Sequence, residues 1–244
     1  NAARSGHRRQ RNAVILEKSE LLRFCLYTIH NKDYTYINLF SYILSLIIEK
    51  TLLTTRGNML TKIQSIDYRF IDWIQTHLRH PIMDALMRFM SLIGNCGAIW
   101  VLAALALLLS GTGRHAAFCV MCALAANVVL VNLFLKRVAR RPRPFTTRDD
   151  RDPLILPPTD FSFPSGHTFS SFAASTVIYM FFPQMGIAAL AIAFLISFSR
   201  LYLYVQFVTD VLISAVLGVG TGYLVCRIYF GIFLDVVAES ASLL

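Results

Sequence analysis

The chain has 244 residues, enough for one domain, and is 56% hydrophobic with 15% charged residues. Soluble domains are about 45–50% apolar and about a quarter charged, so this composition argues against a soluble protein, and the excess lies in bilayer-length runs. The net charge of +9 (23 Lys+Arg against 14 Asp+Glu) fits anionic headgroups, a phosphate ligand or cytoplasmic loops. It argues against nucleic-acid binding, because the cations are interleaved with apolar segments rather than gathered on a soluble face.

Residues 1–12 carry Arg4, Arg8, Arg9 and Arg11 and read as a basic tail. The run Ile37 to Ile48 is short for a span and reads as a marginal or interfacial helix. It starts late and no small-x-small site follows, unlike a cleaved signal peptide. The chain changes character at Met59. The domain is expected over 59–235, with 1–58 outside its core (an upstream extension if Met59 is the start) and 236–244 as a C-terminal tail. Over 60–79, Ile63, Ile66, Phe70, Ile71, Ile74 and Leu78 recur at helical spacing, with Lys62, Asp67, Arg69 and Asp72 between them. This predicts an amphipathic helix on the membrane surface, stopped at His80-Pro81, with Trp73 at the headgroup boundary.

Five spans are predicted after it: about 85–109, 116–135, 165–182, 186–198 and 209–226. The second ends at Lys136-Arg137, and a polar loop over 136–163 follows. Pro183 breaks the third from the fourth. Gly218, Gly220 and Gly222 in the fifth are small residues that suit close helix packing. An unclosed chain crosses a bilayer only as helices, so the fold class is all-α. The architecture is a polytopic membrane helical bundle of about five to six spans with an N-terminal interfacial amphipathic helix. Span parity puts the 136–163 loop, the start of the third span and residues 199–208 on one membrane face.

Three polar clusters therefore share that face. Pro164-Ser165-Gly166-His167 opens a helix. Ser165 suits an N-cap, and free N–H groups with the helix dipole make an anion seat. His167 lies beside any anion held there, where an imidazolium can protonate a leaving oxygen. Taken alone, Ser-Gly-His is also what an ordinary helix cap with an incidental histidine looks like. Lys136 and Arg143 bracket a second cluster of phosphate donors. Arg137, Arg140 and Arg141 beside them read as a basic juxtamembrane group that binds acidic lipids or sets orientation. In the third cluster Arg200 closes an apolar helix, and a cation at a membrane edge is a site candidate. Asp210 follows Gln206 by four residues, on one helix face if the helix starts that early. A buried aspartate there commonly orients a histidine, but position 206 is glutamine.

The five cysteines (Cys25, Cys96, Cys119, Cys122, Cys226) suggest no disulfide framework. Cys119 and Cys122 have CxxC spacing but no second pair, and read as small apolar side chains. Asp149, Asp150 and Asp152 around Arg151 raise a divalent-cation reading, against which a solvated loop balancing its own arginines is favoured.

Together the clusters resemble the type 2 phosphatidic acid phosphatase superfamily, whose pattern is Lys-x6-Arg-Pro, Pro-Ser-Gly-His and Ser-Arg-x5-His-x3-Asp. The chain matches it at Lys136-x6-Arg143-Pro144, Pro164-Ser165-Gly166-His167 and Ser199-Arg200-x5-Gln206-x3-Asp210, departing only at Gln206. The resemblance covers about residues 60–230. It implies a metal-independent, cofactor-free site that hydrolyses lipid phosphates or diphosphates: phosphatidic acid, phosphatidylglycerol phosphate or polyprenyl diphosphates. It gives Lys136, Arg143, Ser165, Gly166 and Arg200 the phosphate, His167 the general-acid role, position 206 the nucleophile and Asp210 its orientation. It also implies a bacterial plasma membrane with the site outward, whereas the arginine-rich loop by itself favours the cytoplasm. A glutamine amide is no useful nucleophile, so activity is expected to be impaired. A non-catalytic lipid-phosphate binder on the same fold is the alternative. The partners implied are a lipid phosphate and the membrane, with no nucleic acid.

Overall fold

In a computed structural model, the structure describes residues 59–147 and 153–242, with side chains over 63–147 and 153–232. Residues 1–58 and the acidic cluster around Arg151 lie outside the described residues. The regular elements are helices: α1 (Met59–His77), α2 (Pro81–Ile93), α3 (Ala98–Leu109), α4 (Arg114–Asn127), α5 (Gly166–Phe181), α6 (Pro183–Tyr202) and α7 (Val208–Ser242). A single helical turn spans Pro144–Thr147.

α5 is the central helix. It is buried nearly all round, and its buried positions are mostly small: Ser170, Ser171, Ala173, Ala174, Ser175 and Thr176. Small side chains let helix backbones approach closely, the usual way for membrane helices to associate. α4, α6 and α7 pack against it. On α7, a Cβ at Gly218 would stand 2.6 Å from the Phe169 carbonyl oxygen, and one at Gly222 would stand 2.4 Å from that of Ala173. Of the three glycines read as packing residues, Gly218 and Gly222 meet α5. Trp100 of α3 donates its indole N–H to Ser171 Oγ at 2.9 Å, which satisfies both polar groups inside the bundle.

Three helices are long and apolar enough to cross a membrane: the rod Arg114–Thr147 that contains α4, α6, and α7 over Val208–Ile232. α2 and α3 make a fourth if counted as one bent span. The span expected over 85–109 is thus two helices, bent by 52°. The break is a 3₁₀ turn, Asn95–Gly97, in which Cys96 and Gly97 have φ of 52° and 69°. Irregular backbone at membrane depth is tolerated where it lines a cavity, and this turn does so. α4 likewise continues as a π-helical stretch, Val128–Leu135, and a last turn, Lys136–Ala139. That stretch brings Asn132 and Lys136 to the same cavity. α7 runs on to Ser242, through most of the segment expected as a C-terminal tail.

α1 is amphipathic in two senses. Tyr68, Ile71 and Ile74 pack on the buried segment Leu201–Phe207, while Ile66, Phe70 and Trp73 are exposed. Asp67, placed with the polar residues between the apolar ones by the periodicity, is in fact buried at 1% exposure. An ion pair with Arg141 and hydrogen bonds from Thr209 compensate its charge there.

Candidate active site

One cavity of about 920 Å³ is lined by Lys136, Arg143, Gly166, His167, Arg200 and Gln206. These come from the end of the α4 rod, the loop after it, the start of α5, the end of α6 and the segment before α7. The three sequence clusters therefore converge on one cavity.

Ser165 caps α5: its side chain accepts from the Thr168 N–H at 3.3 Å. Its own N–H donates to Ser214 Oγ at 2.7 Å, which ties the start of α5 to α7. The cavity reaches the helix start over Gly166, where a Cβ would stand 3.9 Å from Lys136 Nζ. The α2 kink closes the other side. A Cβ at Gly94 would stand 3.2 Å from His167 Cδ2 and 2.6 Å from Ile196 Cγ2, so only glycine lets the chain pass there. Ser91, one turn earlier, binds both chemically prominent side chains: its backbone hydrogen-bonds His167, and its hydroxyl accepts from Arg200 Nη1. Arg200 is almost fully buried, and its Nε has no hydrogen-bond partner among the described residues.

Gln206 lies in the irregular segment before α7, so it shares no helix face with Asp210. That segment cannot drift, because Leu203, Tyr204, Val205 and Phe207 are all buried against α1 and α2. The Gln206 amide is held at both ends. Its Oε1 accepts from Ser165 Oγ at 2.6 Å, and its Nε2 donates to the Ser162 carbonyl at 3.2 Å.

Asp210 does not reach Gln206. Its carboxylate accepts from Arg141 Nη1 and Ser162 Oγ, both at 2.5 Å, and from the Phe207 N–H at 3.2 Å. Arg141 also bonds Asp67 at 2.7 Å, and its guanidinium carbon lies 4.1 Å from the Phe207 ring centroid. The resemblance implied that Asp210 orients the residue at position 206. The reason it does not is that a fully buried carboxylate takes the strongest donor in reach, here a guanidinium. For the same reason Arg141 is not the free juxtamembrane cation that its cluster suggested.

Asp160 is the other residue that motif reasoning passed over. Its carboxylate pairs with Lys136 Nζ and, at 2.5 Å, with Arg143 Nη2; its carbonyl accepts from Arg143 Nε at 2.7 Å. Partial burial pushes this carboxyl up, but the Lys136 hydrogen bond and the Arg143 charge outweigh it and hold it below the ordinary carboxylate range. A lone aspartate in a loop carries no sequence signal for this. Only its place shortly before Pro164-Ser165-Gly166-His167 hinted at proximity.

Among the described residues no group of three or more His, Cys, Asp or Glu side chains is arranged to hold a metal. Cys119 and Cys122 do not form a site with each other; the Cys119 thiol hydrogen-bonds Cys226 across to α7.

The family model that matches is that of the PAP2 superfamily, over residues 116–233. The bacitracin transport permease protein BcrC of Bacillus licheniformis is 36% identical over 77 residues, 32% of this chain. That match spans 38% of the relative's length. A transmembrane PAP2-type phosphatidylglycerolphosphate phosphatase from Bacillus subtilis has a similar structure, with TM-score 0.60 and 25% identity, covering 80% of this chain and 96% of that one. LpxE of Aquifex aeolicus shares the fold, with TM-score 0.51 and 22% identity, over 66% and 95% of the two chains. With the apolar helices described above, these likenesses make the chain an integral membrane protein.

Proposed function

Because the chain belongs to the PAP2 superfamily, we propose that its cavity takes the phosphate of a membrane lipid into a phosphohistidine-type hydrolase site whose nucleophile position is filled by Gln206. The observation that carries this reading is the convergence of Lys136, Arg143, His167, Arg200 and Gln206 on one cavity at the start of α5. Lys136, Arg143 and Arg200 neutralise the phosphate; the N–H at Gly166 and the α5 dipole hold it. Arriving dianion offsets the three cations around His167 and favours its imidazolium, which then protonates the leaving oxygen.

In a histidine form of the site, a ring nitrogen at position 206 attacks phosphorus, and water later releases the phosphate. Where Gln206 donates to the Ser162 carbonyl, a histidine has an acceptor for its one N–H, which leaves its other nitrogen free to attack. With glutamine, turnover falls to direct attack by water, a loss of several orders of magnitude. The substrate class is a phosphomonoester or terminal phosphate of a lipid, such as phosphatidic acid, phosphatidylglycerol phosphate or a polyprenyl diphosphate. The setting is a bacterial plasma membrane with the site on its outer face.

A lipid-phosphate binder is the second reading. It is favoured by the Gln206 amide held at both ends and by the commitment of Asp210 to Arg141. Phosphate release from these lipids in detergent, for the chain and Gln206→His side by side, separates the two. The hydrolase reading expects the histidine form to gain about a thousandfold or more. No turnover by either form, with phosphate lipids still bound, establishes the binder.

A further inference from the structure

The cations assigned above to substrate already hold an anion from their own chain. We propose that Asp160 is an internal ligand of the phosphate seat, so that a lipid phosphate enters only by exchange with its carboxylate, and that this exchange keeps singly charged phosphodiester headgroups out. The proposal rests on the phosphate-seat reading of the cavity.

The geometry is that of a substitute for phosphate. One Asp160 carboxylate oxygen meets Lys136 Nζ and the other meets Arg143 Nη2 at 2.5 Å. Four of the five Arg143 N–H donors are then engaged. Besides the carboxylate, its Nε binds the Asp160 carbonyl at 2.7 Å, its Nη1 the Val205 carbonyl at 2.7 Å and its Nη2 the Phe161 carbonyl at 3.4 Å. A phosphate that takes the donors Arg143 and Lys136 now share with Asp160 must therefore displace a partner. The Val205 carbonyl cannot leave, since it belongs to the buried segment beneath α1. Asp160 can: its side chain is 47% exposed, on the irregular stretch 153–163, which contains Pro153, Pro157 and Pro158. Arg200 Nε, buried and without a hydrogen-bond partner among the described residues, gives the phosphate a first contact before the exchange.

Among the described residues Asp160 is the single carboxylate in the cavity lining, which it shares with Lys136, Arg143, Arg200, Arg88 and His167. Competition from a built-in ligand lowers the apparent affinity of every anion by the same factor. A phosphomonoester carries close to two charges and three terminal oxygens, so it still binds. A phosphodiester carries one charge and two free oxygens, and drops below occupancy. That matters in a bilayer, where phosphodiester headgroups are the surrounding medium.

Equilibrium binding of short-chain phosphatidic acid and short-chain phosphatidylglycerol to the detergent-solubilised chain tests this. The forms compared are the parent, Asp160→Asn, Asp160→Ser and Asp160→Glu, with Arg200→Gln as control. If the carboxylate fills the seat nine-tenths of the time, both uncharged variants bind phosphatidic acid about tenfold tighter. They also bind phosphatidylglycerol, which the parent leaves unbound over the same range, while Asp160→Glu behaves as the parent does. Unchanged or weaker binding in Asp160→Asn and Asp160→Ser, with Arg200→Gln abolishing it, overturns the role of Asp160 and leaves the seat standing. Absence of binding in every form overturns both.

Discussion

Arg141→Met tests whether the Arg141 bridge holds the loop after α4, α1 and α7 together. Arg141 pairs with Asp67 at 2.7 Å and Asp210 at 2.5 Å, and those carboxylates are 1% and 0% exposed. Methionine keeps most of the stem and removes the charge. Removing one partner of a buried ion pair costs about 3–5 kcal/mol, because the charge left behind has no compensation. Two features move this case to the low end. The Arg141 side chain is 23% exposed, so water reaches its rim. Ser162, Thr209 and the Phe207 N–H continue to serve the carboxylates. The expected loss is therefore about 3 kcal/mol, or a fall of about 6–12 °C in Tm for a domain of this size. Thermal melting of the detergent-purified protein measures it. Asp67→Asn removes one half of the bridge, and the double variant should be less destabilised than the sum of the two by at least about 1 kcal/mol. An Arg141→Met protein that melts within about 2 °C of the parent, or strict additivity in the cycle, refutes the reasoning.

Gly222→Ala forces a methyl into a site 2.4 Å from the Ala173 carbonyl oxygen and should cost about 1–3 kcal/mol in melting experiments. Gly231→Ala, on the same helix but with open space around it, should be neutral or stabilise by up to about 1 kcal/mol. The Asp160 carboxyl is held below its ordinary value of 3.8 in the folded protein. Its contribution to stability is therefore fully present above that value and is lost as pH falls through the lower folded one. The Tm difference between parent and Asp160→Asn should stay flat from neutral pH down to about pH 4 and shrink below it; a difference that changes across neutral pH contradicts the assignment.

Much of the site was legible before any coordinates. Lys136, Arg143, Ser165, Gly166, His167 and Arg200, picked out by motif order, gather around one cavity or its cap. The packing of Gly218 and Gly222 was legible from their being small residues in an apolar run. Arg141 was not separable from Arg137 and Arg140, because adjacent cations in one loop differ only in what lies opposite them. Asp67 looked like a polar-face residue because helical periodicity records polarity, and a buried carboxylate paired with arginine is polar too. The i,i+4 pairing of Gln206 with Asp210 failed because α7 begins at Val208, a boundary that the buried segment 203–207 sets through tertiary packing.

The sequence by itself determined the helical membrane architecture and the three polar clusters. Bilayer thickness sets the length of an apolar run, and motif spacing is read along the chain, so neither needs a tertiary contact. Only the tertiary structure decided how the charges pair. Arg141 meets Asp67 across 74 positions and Asp210 across 69, and Asp160 reaches back 24 positions to Lys136. The kink at Asn95–Gly97 was also decided there, where α2 must close on His167. Local spacing encodes which face a side chain takes. Which of several like charges lies within reach of a given carboxylate is settled only when the helices pack.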